Sequence, residues 1–259
     1  MKRALVTGAG QRLGQAMAVY LAARGYHVAV HYAASEDGAA ETVRQIQAMG
    51  GQSQMLQADL LDDAQTTSLF TRAQEALGGA ITCLVNNASI FEHDTVSSAT
   101  RASWDRHMQS NLRAPFLLTQ SMARQDLEPG VDAAREPVAA GVIVNMIDQR
   151  VRKLTPEFMT YTLAKMGLWA MTQTTAQALA PTFRVNAIGP GPSLRGGRQT
   201  EAQFAKQRAS TVLRRGANPE DITAALGYIL DAPALTGQLL CIDGGQHLCW
   251  ETPDILGVE

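Results

Sequence analysis

The stretch that decides the fold is Arg3-Ala-Leu-Val-Thr-Gly-Ala-Gly-Gln-Arg-Leu-Gly14. Arg3 to Thr7 is a short apolar run of the kind buried on both faces of a sheet, and it ends on glycines. A helical pattern follows through Leu13, Met17, Tyr20 and Leu21 and is closed by Gly25. Strand, glycine turn and helix in this order leave backbone N–H groups and the positive end of a helix dipole at the strand's carboxyl end, a setting suited to an anionic phosphate. Gly8 and Gly14 let backbone approach such a group closely. Taken alone, the same spacing also serves as a plain tight turn.

Working outward, the alternation repeats. His27 to Tyr32 is a β-branched run that predicts a second strand, and a polar helix over Glu36–Met49 ends at Gly50-Gly51. Strands are predicted over Gln52–Ala58, Ala80–Asn86, Gly141–Ile147, Arg184–Ile188 and Gln238–Ile242. Helices are predicted over Asp62–Leu77, Ala102–Leu127, Phe158–Leu179, Glu201–Ser210 and Glu220–Leu230. Glu128 to Ala140, with Pro129 and Pro137, reads as a surface excursion. Helices between strands impose right-handed crossovers and cover both faces of a parallel sheet. The expected fold is therefore α/β, a Rossmann-type doubly wound sheet of about seven strands. No linker interrupts residues 1–259, so one domain is expected.

Composition narrows the partners. A formal charge of −2 gives no reason to expect nucleic acid or an anionic membrane, and no apolar run is long enough to span a bilayer. The three cysteines, Cys83, Cys241 and Cys249, are too few and too scattered for a disulfide framework or a metal site. A first strand starting near Lys2 leaves no room for a leader, and a cytoplasmic location is expected.

Arg12 stands where many such loops carry a second glycine, and its guanidinium could clamp phosphate oxygens. The second strand ends His31-Tyr32-Ala33-Ala34-Ser35, with no carboxylate before Glu36 to take ribose hydroxyls. That ending tolerates a 2′-phosphate, which Ser35 could hydrogen-bond, so NADP(H) is favoured over NAD(H). Tyr161 and Lys165 stand four apart, on one face of a helix. An ammonium beside a phenol is expected to lower the phenol's pKa and make it a useful general acid.

The order of these signals is more specific than any one of them. Glycine loop, Asn86-Asn-Ala-Ser89, Asn111, a strand, Tyr161-Thr-Leu-Ala-Lys165, Asn186 and Gly189-Pro-Gly191 together resemble the short-chain dehydrogenase/reductase family from Arg3 to Gly245. The resemblance implies a dinucleotide lying along Gly8, Arg12, Leu13, Gly14, Tyr32, Ser35, Asp59, Leu60, Asn87, Ala88, Ser89, Tyr161, Lys165, Pro190, Gly191 and Ser193, with Asp59 holding adenine. It also implies a homotetramer or dimer, and catalysis by an Asn-Ser-Tyr-Lys tetrad in which Asn111 fixes the main helix and a relay water.

The serine of that tetrad belongs thirteen residues before Tyr161, where this chain has Asp148. An ionised carboxylate cannot donate to a carbonyl oxygen becoming alkoxide, and its charge raises a neighbouring phenol's pKa. It does suit an N–H-rich heterocycle. Arg12, Asn145-Met-Ile-Asp148, Asn87-Ala-Ser89-Ile-Phe91 and Gly189-Pro-Gly-Pro-Ser193 resemble the pteridine reductase and dihydromonapterin reductase branch of the family. That likeness implies a small planar substrate stacked on Phe91 and edged by Arg12, Ser89, Asp148 and Tyr161, and reduction of a C=N bond. A carbonyl reductase acting on a sugar, polyol or 3-oxoacyl group, and a non-catalytic NADP(H) sensor, are the other readings; acceptor turnover separates all three. Apolar residues on more than one face of Ala102–Leu127 and Phe158–Leu179, Trp169 and Met171 among them, suggest a partner subunit, as does the tail after Gly245 with Leu248 and Trp250.

Overall fold

The computed structural model describes residues 1–197 and 199–252. β1 (Arg3–Val6) is flanked in parallel by β2 (His27–Tyr32) and β4 (Cys83–Asn86), with Leu5 opposite Ala29 and Leu84. β3 (Ser53–Gln57) lies outside β2. A two-stranded hairpin, β5 (Gly130–Val131) with β6 (Pro137–Val138), stands apart from the sheet and is largely exposed. β7 (Gly141–Met146), β8 (Phe183–Pro190) and β9 (Leu239–Ile242) follow β4, which gives seven parallel strands in the order β3-β2-β1-β4-β7-β8-β9. This is the doubly wound sheet expected from the sequence.

Alternation along the strands builds a core on each face. Ala4, Val6, Val28, Val30, Cys83, Val85, Val142 and Val144 point to one side, with Met17 and Leu21 of α1 (Arg12–Ala23), Ile46 of α2 (Glu36–Ala48) and Leu226 of α8 (Pro219–Asp231). Leu5, Ala29, Leu84 and Ile143 point to the other. They meet Leu69 and Phe70 of α3 (Asp63–Leu77), Leu118 and Met122 of α5 (Ala114–Ala123), and Ala176 of α6 (Met159–Ala178). α7 (Glu201–Ala209) lies near the end of the chain and has no buried residue.

Three local differences from the sequence reading matter. The stretch read as one helix over Ala102–Leu127 is α4 (Arg101–Met108) and α5 joined by a π-helical turn, Gln109–Arg113, which carries Asn111. Such a turn accommodates one extra residue and re-aims a side chain, often at functional sites. β8 runs on through Gly189 and Pro190, which had been assigned to the following loop. Trp169 is half-buried and Met171 buried; the exposed apolar side chains of this region are Trp104, Phe116, Leu163 and Met166. Among the described residues no helix is long and apolar enough to cross a membrane, and no cluster of side chains could hold a metal ion. The tail reading extends into 253–259, which lie outside the described residues, as does residue 198 of the loop after β8.

Because the seven strands of the main sheet are all parallel, the loops after β1, β2, β3, β4, β7 and β8 gather at one edge of it. The order reverses between β1 and β4, and crevices form at such switch points. The site is there.

Candidate active site

A cavity of about 640 Å³ runs along the carboxyl ends of the strands. Asn111 and Asn186 do not line it, whereas the candidate cofactor and substrate residues do: Gly8, Arg12, Leu13 and Gly14 after β1, Tyr32 and Ser35 after β2, and Asp59 and Leu60 after β3. Asn87, Ala88, Ser89 and Phe91 line it after β4, Asp148 after β7, Tyr161 and Lys165 from α6, and Pro190, Gly191 and Ser193 from β8 onward.

The glycine loop is braced for close approach. Gly8 has φ of +62°, a conformation that favours glycine. A Cβ on Gly14 would stand 2.1 Å from the Gly8 carbonyl oxygen, so no side chain fits there. Thr7 Oγ1 accepts from the Asn87 and Ala88 amides at 2.9 and 3.0 Å, and Asn87 Nδ2 donates to the Thr7 and Gly8 carbonyls. This ties the loops after β1 and β4 together. His31, which the sequence reading passed over, completes the brace. Its Nδ1 accepts from Gly8 N at 3.0 Å and its Nε2 donates to Ala58 O at 3.0 Å. Burial holds this imidazole neutral, with its pKa lowered to about 4. A polar side chain at the end of an otherwise apolar strand was the signal available.

Arg12 does not point its paired donors at open space. With φ of +57°, it donates to Arg195 O at 2.7 Å and Leu194 O at 3.0 Å, strapping the glycine loop to the loop after β8. Both guanidinium bonds are to backbone carbonyls of that loop, and Arg12 itself lines the cavity. Asp59 Oδ1 accepts from Leu61 N at 2.9 Å, and Ser193 Oγ donates to Gly191 O at 3.1 Å.

At the other end of the cavity lies a buried acid–phenol–amine set. Tyr161 Oη donates to Asp148 Oδ2 at 3.0 Å, and Asp148 Oδ1 accepts from Arg150 N at 2.8 Å, capping the turn Gln149–Val151. Lys165 Nζ donates to Met146 O at 2.8 Å and lies 5.6 Å from the centre of the Tyr161 ring. Burial pushes the Asp148 carboxyl above the usual range and lowers Lys165 to about 8, with Asp148 opposing that fall. Tyr161 is pushed well above its ordinary value, by burial first and then by Asp148, while Arg150 and Ser89 pull the other way. The net direction is opposite to the lowering expected from the lysine. Asp148 adds to the effect of burial, as a carboxyl beside a phenol does.

Asn111 is fully buried, and its Oδ1 accepts from Ile90 N while its Nδ2 donates to Ile90 O, each at 2.8 Å. From the π-helical turn between α4 and α5 it holds the loop that carries Phe91. Phe91 stands over the set, its ring 4.7 Å from that of Tyr161 at 70° and stacked on Phe158 at 4.2 Å and 9°. Phe158, read as the first residue of a helix, precedes α6 in a left-handed conformation with φ of +57°. Arg150 lies over its ring at 5.1 Å.

A parallel sheet with a glycine loop at its switch point and a Tyr-x-x-x-Lys pair beside it defines a dinucleotide-dependent oxidoreductase. The family model described as enoyl-(acyl carrier protein) reductase (adh_short_C2) matches residues 8–247, and the chain belongs to the short-chain dehydrogenase/reductase family. It is an NAD(P)-dependent reductase of that family. The NADP complex of FolM alternative dihydrofolate reductase 1 from Brucella canis is 40% identical with a TM-score of 0.89, covering 98% of this chain and 97% of that one. The same protein from Brucella suis, also with NADP, is 41% identical with a TM-score of 0.89, covering 98% of each. A 3beta-hydroxysteroid dehydrogenase 1 from Eggerthella lenta is 33% identical over 95% of this chain and 94% of its own length.

Proposed function

We propose that the chain reduces the C=N bond of a planar pterin-like ring, of the dihydropterin or dihydrofolate class, with NADPH. The observation that carries this is Asp148 at 3.0 Å from the Tyr161 hydroxyl, where the family pattern has serine. Serine would offer a neutral donor to a carbonyl oxygen. A carboxyl offers an acceptor for ring N–H groups and a store for a proton. The likeness to FolM dihydrofolate reductases supports the same reading.

The residues fit the cofactor. Gly14 packs too tightly on Gly8 and Asn87 for any Cβ, which keeps the loop shaped for a phosphate, and the Tyr32–Ser35 wall carries no carboxylate to repel a 2′-phosphate. Gly8 to Gly14, Asn87 to Ser89 and Pro190 to Ser193 would hold the dinucleotide, and Lys165 its nicotinamide ribose. When bound, the nicotinamide supplies hydride. Tyr161 holds the proton destined for the adjacent ring nitrogen, and Asp148, whose carboxyl retains a proton above its ordinary range, restores it across the 3.0 Å contact. Phe91 gives the ring an apolar stacking surface. The exposed Trp104, Phe116, Leu163 and Met166 suit a second copy of the chain, which would make the enzyme a homo-oligomer.

The test is NADPH oxidation with dihydropterin and dihydrofolate against a panel of ketones. Turnover of the pterins supports the reading, and turnover of ketones alone removes it. NADPH binding with no acceptor reduced would indicate a sensor.

A further inference from the structure

We propose that His107, through one bond at each end of its ring, sets the position of Phe91 relative to the Tyr161 hydroxyl and is a positioning residue of the reaction. His107 lies on α4, fully buried, four residues before Asn111. Its Nε2 accepts from Glu92 N, the residue after Phe91, at 3.1 Å. Its Nδ1 meets Thr160 Oγ1, the residue before Tyr161, at 2.7 Å. Asn111 meanwhile takes both backbone groups of Ile90, the residue before Phe91. Both backbone neighbours of Phe91 are therefore held by side chains four apart in sequence, and one of those side chains also reaches the neighbour of Tyr161.

The proton roles are consistent. Nε2 accepts from an amide, so Nδ1 carries the hydrogen, which Thr160 Oγ1 shares with the Ser103 carbonyl. The Thr160 hydroxyl in turn donates to buried Asp94 Oδ2, and its amide donates to Asp94 Oδ1 at 3.1 Å. Asp94 thereby caps α6 from the Phe91 loop, where Phe158 has no capping side chain. Ser103 Oγ adds a third donor to Asp94 at 3.1 Å. Burial lowers the imidazole's pKa, in keeping with a neutral ring. A histidine that merely filled space would not need both nitrogens committed to the two residues that flank the site's ring and phenol.

The two ends can be cut separately. In His107→Gln the side-chain amide reaches the place of Nε2 and keeps the Glu92 bond. In His107→Asn it reaches the place of Nδ1 and keeps the Thr160 bond. With dihydrofolate and NADPH, or with whichever panel acceptor is turned over, the glutamine variant should hold KM and lose kcat about 5- to 10-fold, one hydrogen bond's worth. The asparagine variant should hold kcat and raise acceptor KM by about the same factor. NADPH affinity, read by fluorescence, should stay unchanged in both. Thr160→Val removes the bond to His107 and the one to Asp94 Oδ2, so it should lose more kcat than the glutamine variant, and the double variant should fall short of the product of the two losses. Equal changes in KM and kcat in both variants, losses that follow Tm alone, additive losses or a shift in NADPH affinity would overturn the proposal. It rests on Phe91 as the stacking surface, which Phe91→Ala tests separately. An unchanged acceptor KM there removes the surface itself. A raised KM there, with no split between the His107 variants, removes only the role of His107.

Discussion

Tyr161 donates its hydroxyl proton to Asp148 across 3.0 Å, and Lys165, on the same helix, donates to the Met146 carbonyl instead. The phenol's hydrogen-bond partner is therefore an acid rather than an amine. Burial of all three makes this costly to hold in the folded chain, and active sites are where such cost is tolerated.

Asp148→Asn should separate stability from activity. The raised carboxyl pKa means the folded chain binds more protons than the unfolded chain between the ordinary value of 3.8 and the raised one. Stability from this group thus falls as pH rises through that window. Thermal melts at pH 8 should find the asparagine variant equal to or above the parent, by about 1 kcal/mol, with the gap closing toward pH 4. Its activity should be lower. A variant that melts lower at pH 8 and equally at pH 4 would contradict the assignment.

Lys165, lowered to about 8, binds fewer protons folded than unfolded between about 8 and 10.5. Its burial cost is fully present below about pH 8 and is relieved as pH rises. The charged form is the one that can hold the ribose. The pH profile of kcat/KM for NADPH, which reports the free enzyme, should therefore fall on the alkaline side near 8. In Lys165→Arg that limb should move up beyond the measurable range. An unmoved limb would assign it to another group.

Tyr161→Phe keeps the ring against Phe91 and removes the proton. Loss of kcat by about 100- to 10,000-fold is expected, with NADPH dissociation within about twofold of the parent. Stopped-flow fluorescence and steady-state rates read both.

Gly14→Ala places a methyl 2.1 Å from the Gly8 carbonyl, so backbone rather than a flexible side chain must move. A destabilisation of about 1–3 kcal/mol by denaturant titration is expected, with weaker NADPH binding. A neutral result would mean that the cradle is looser than described.

The sheet was readable because Val28, Val30, Val142 and Val144 mark strands that helices cover on both faces, and Gly8 and Gly14 mark the turn between β1 and α1. The cavity lining followed from motif order. What the sequence could not show depended on contacts between distant segments. The π-helical turn at Gln109–Arg113 has no local signature, and the partner of its Asn111, Ile90, lies on a separate loop. Arg12 was legible as a departure from glycine, but its bonds to Leu194 and Arg195 lie more than 180 residues away. Phe158 was placed within a helix because nothing local announces a left-handed residue that stacks on Phe91. The balance that raises Tyr161 depends on burial, and spacing alone pointed to the lysine.

The most direct measurement is the ratio of kcat/KM for dihydrofolate to that for a ketone, in the parent and in Asp148→Ser. The serine restores the neutral donor of the family pattern, so the ratio should fall by about 100-fold or more, through loss of the pterin and gain of the ketone. An unchanged ratio would contradict the claim that the carboxyl beside Tyr161 selects the substrate.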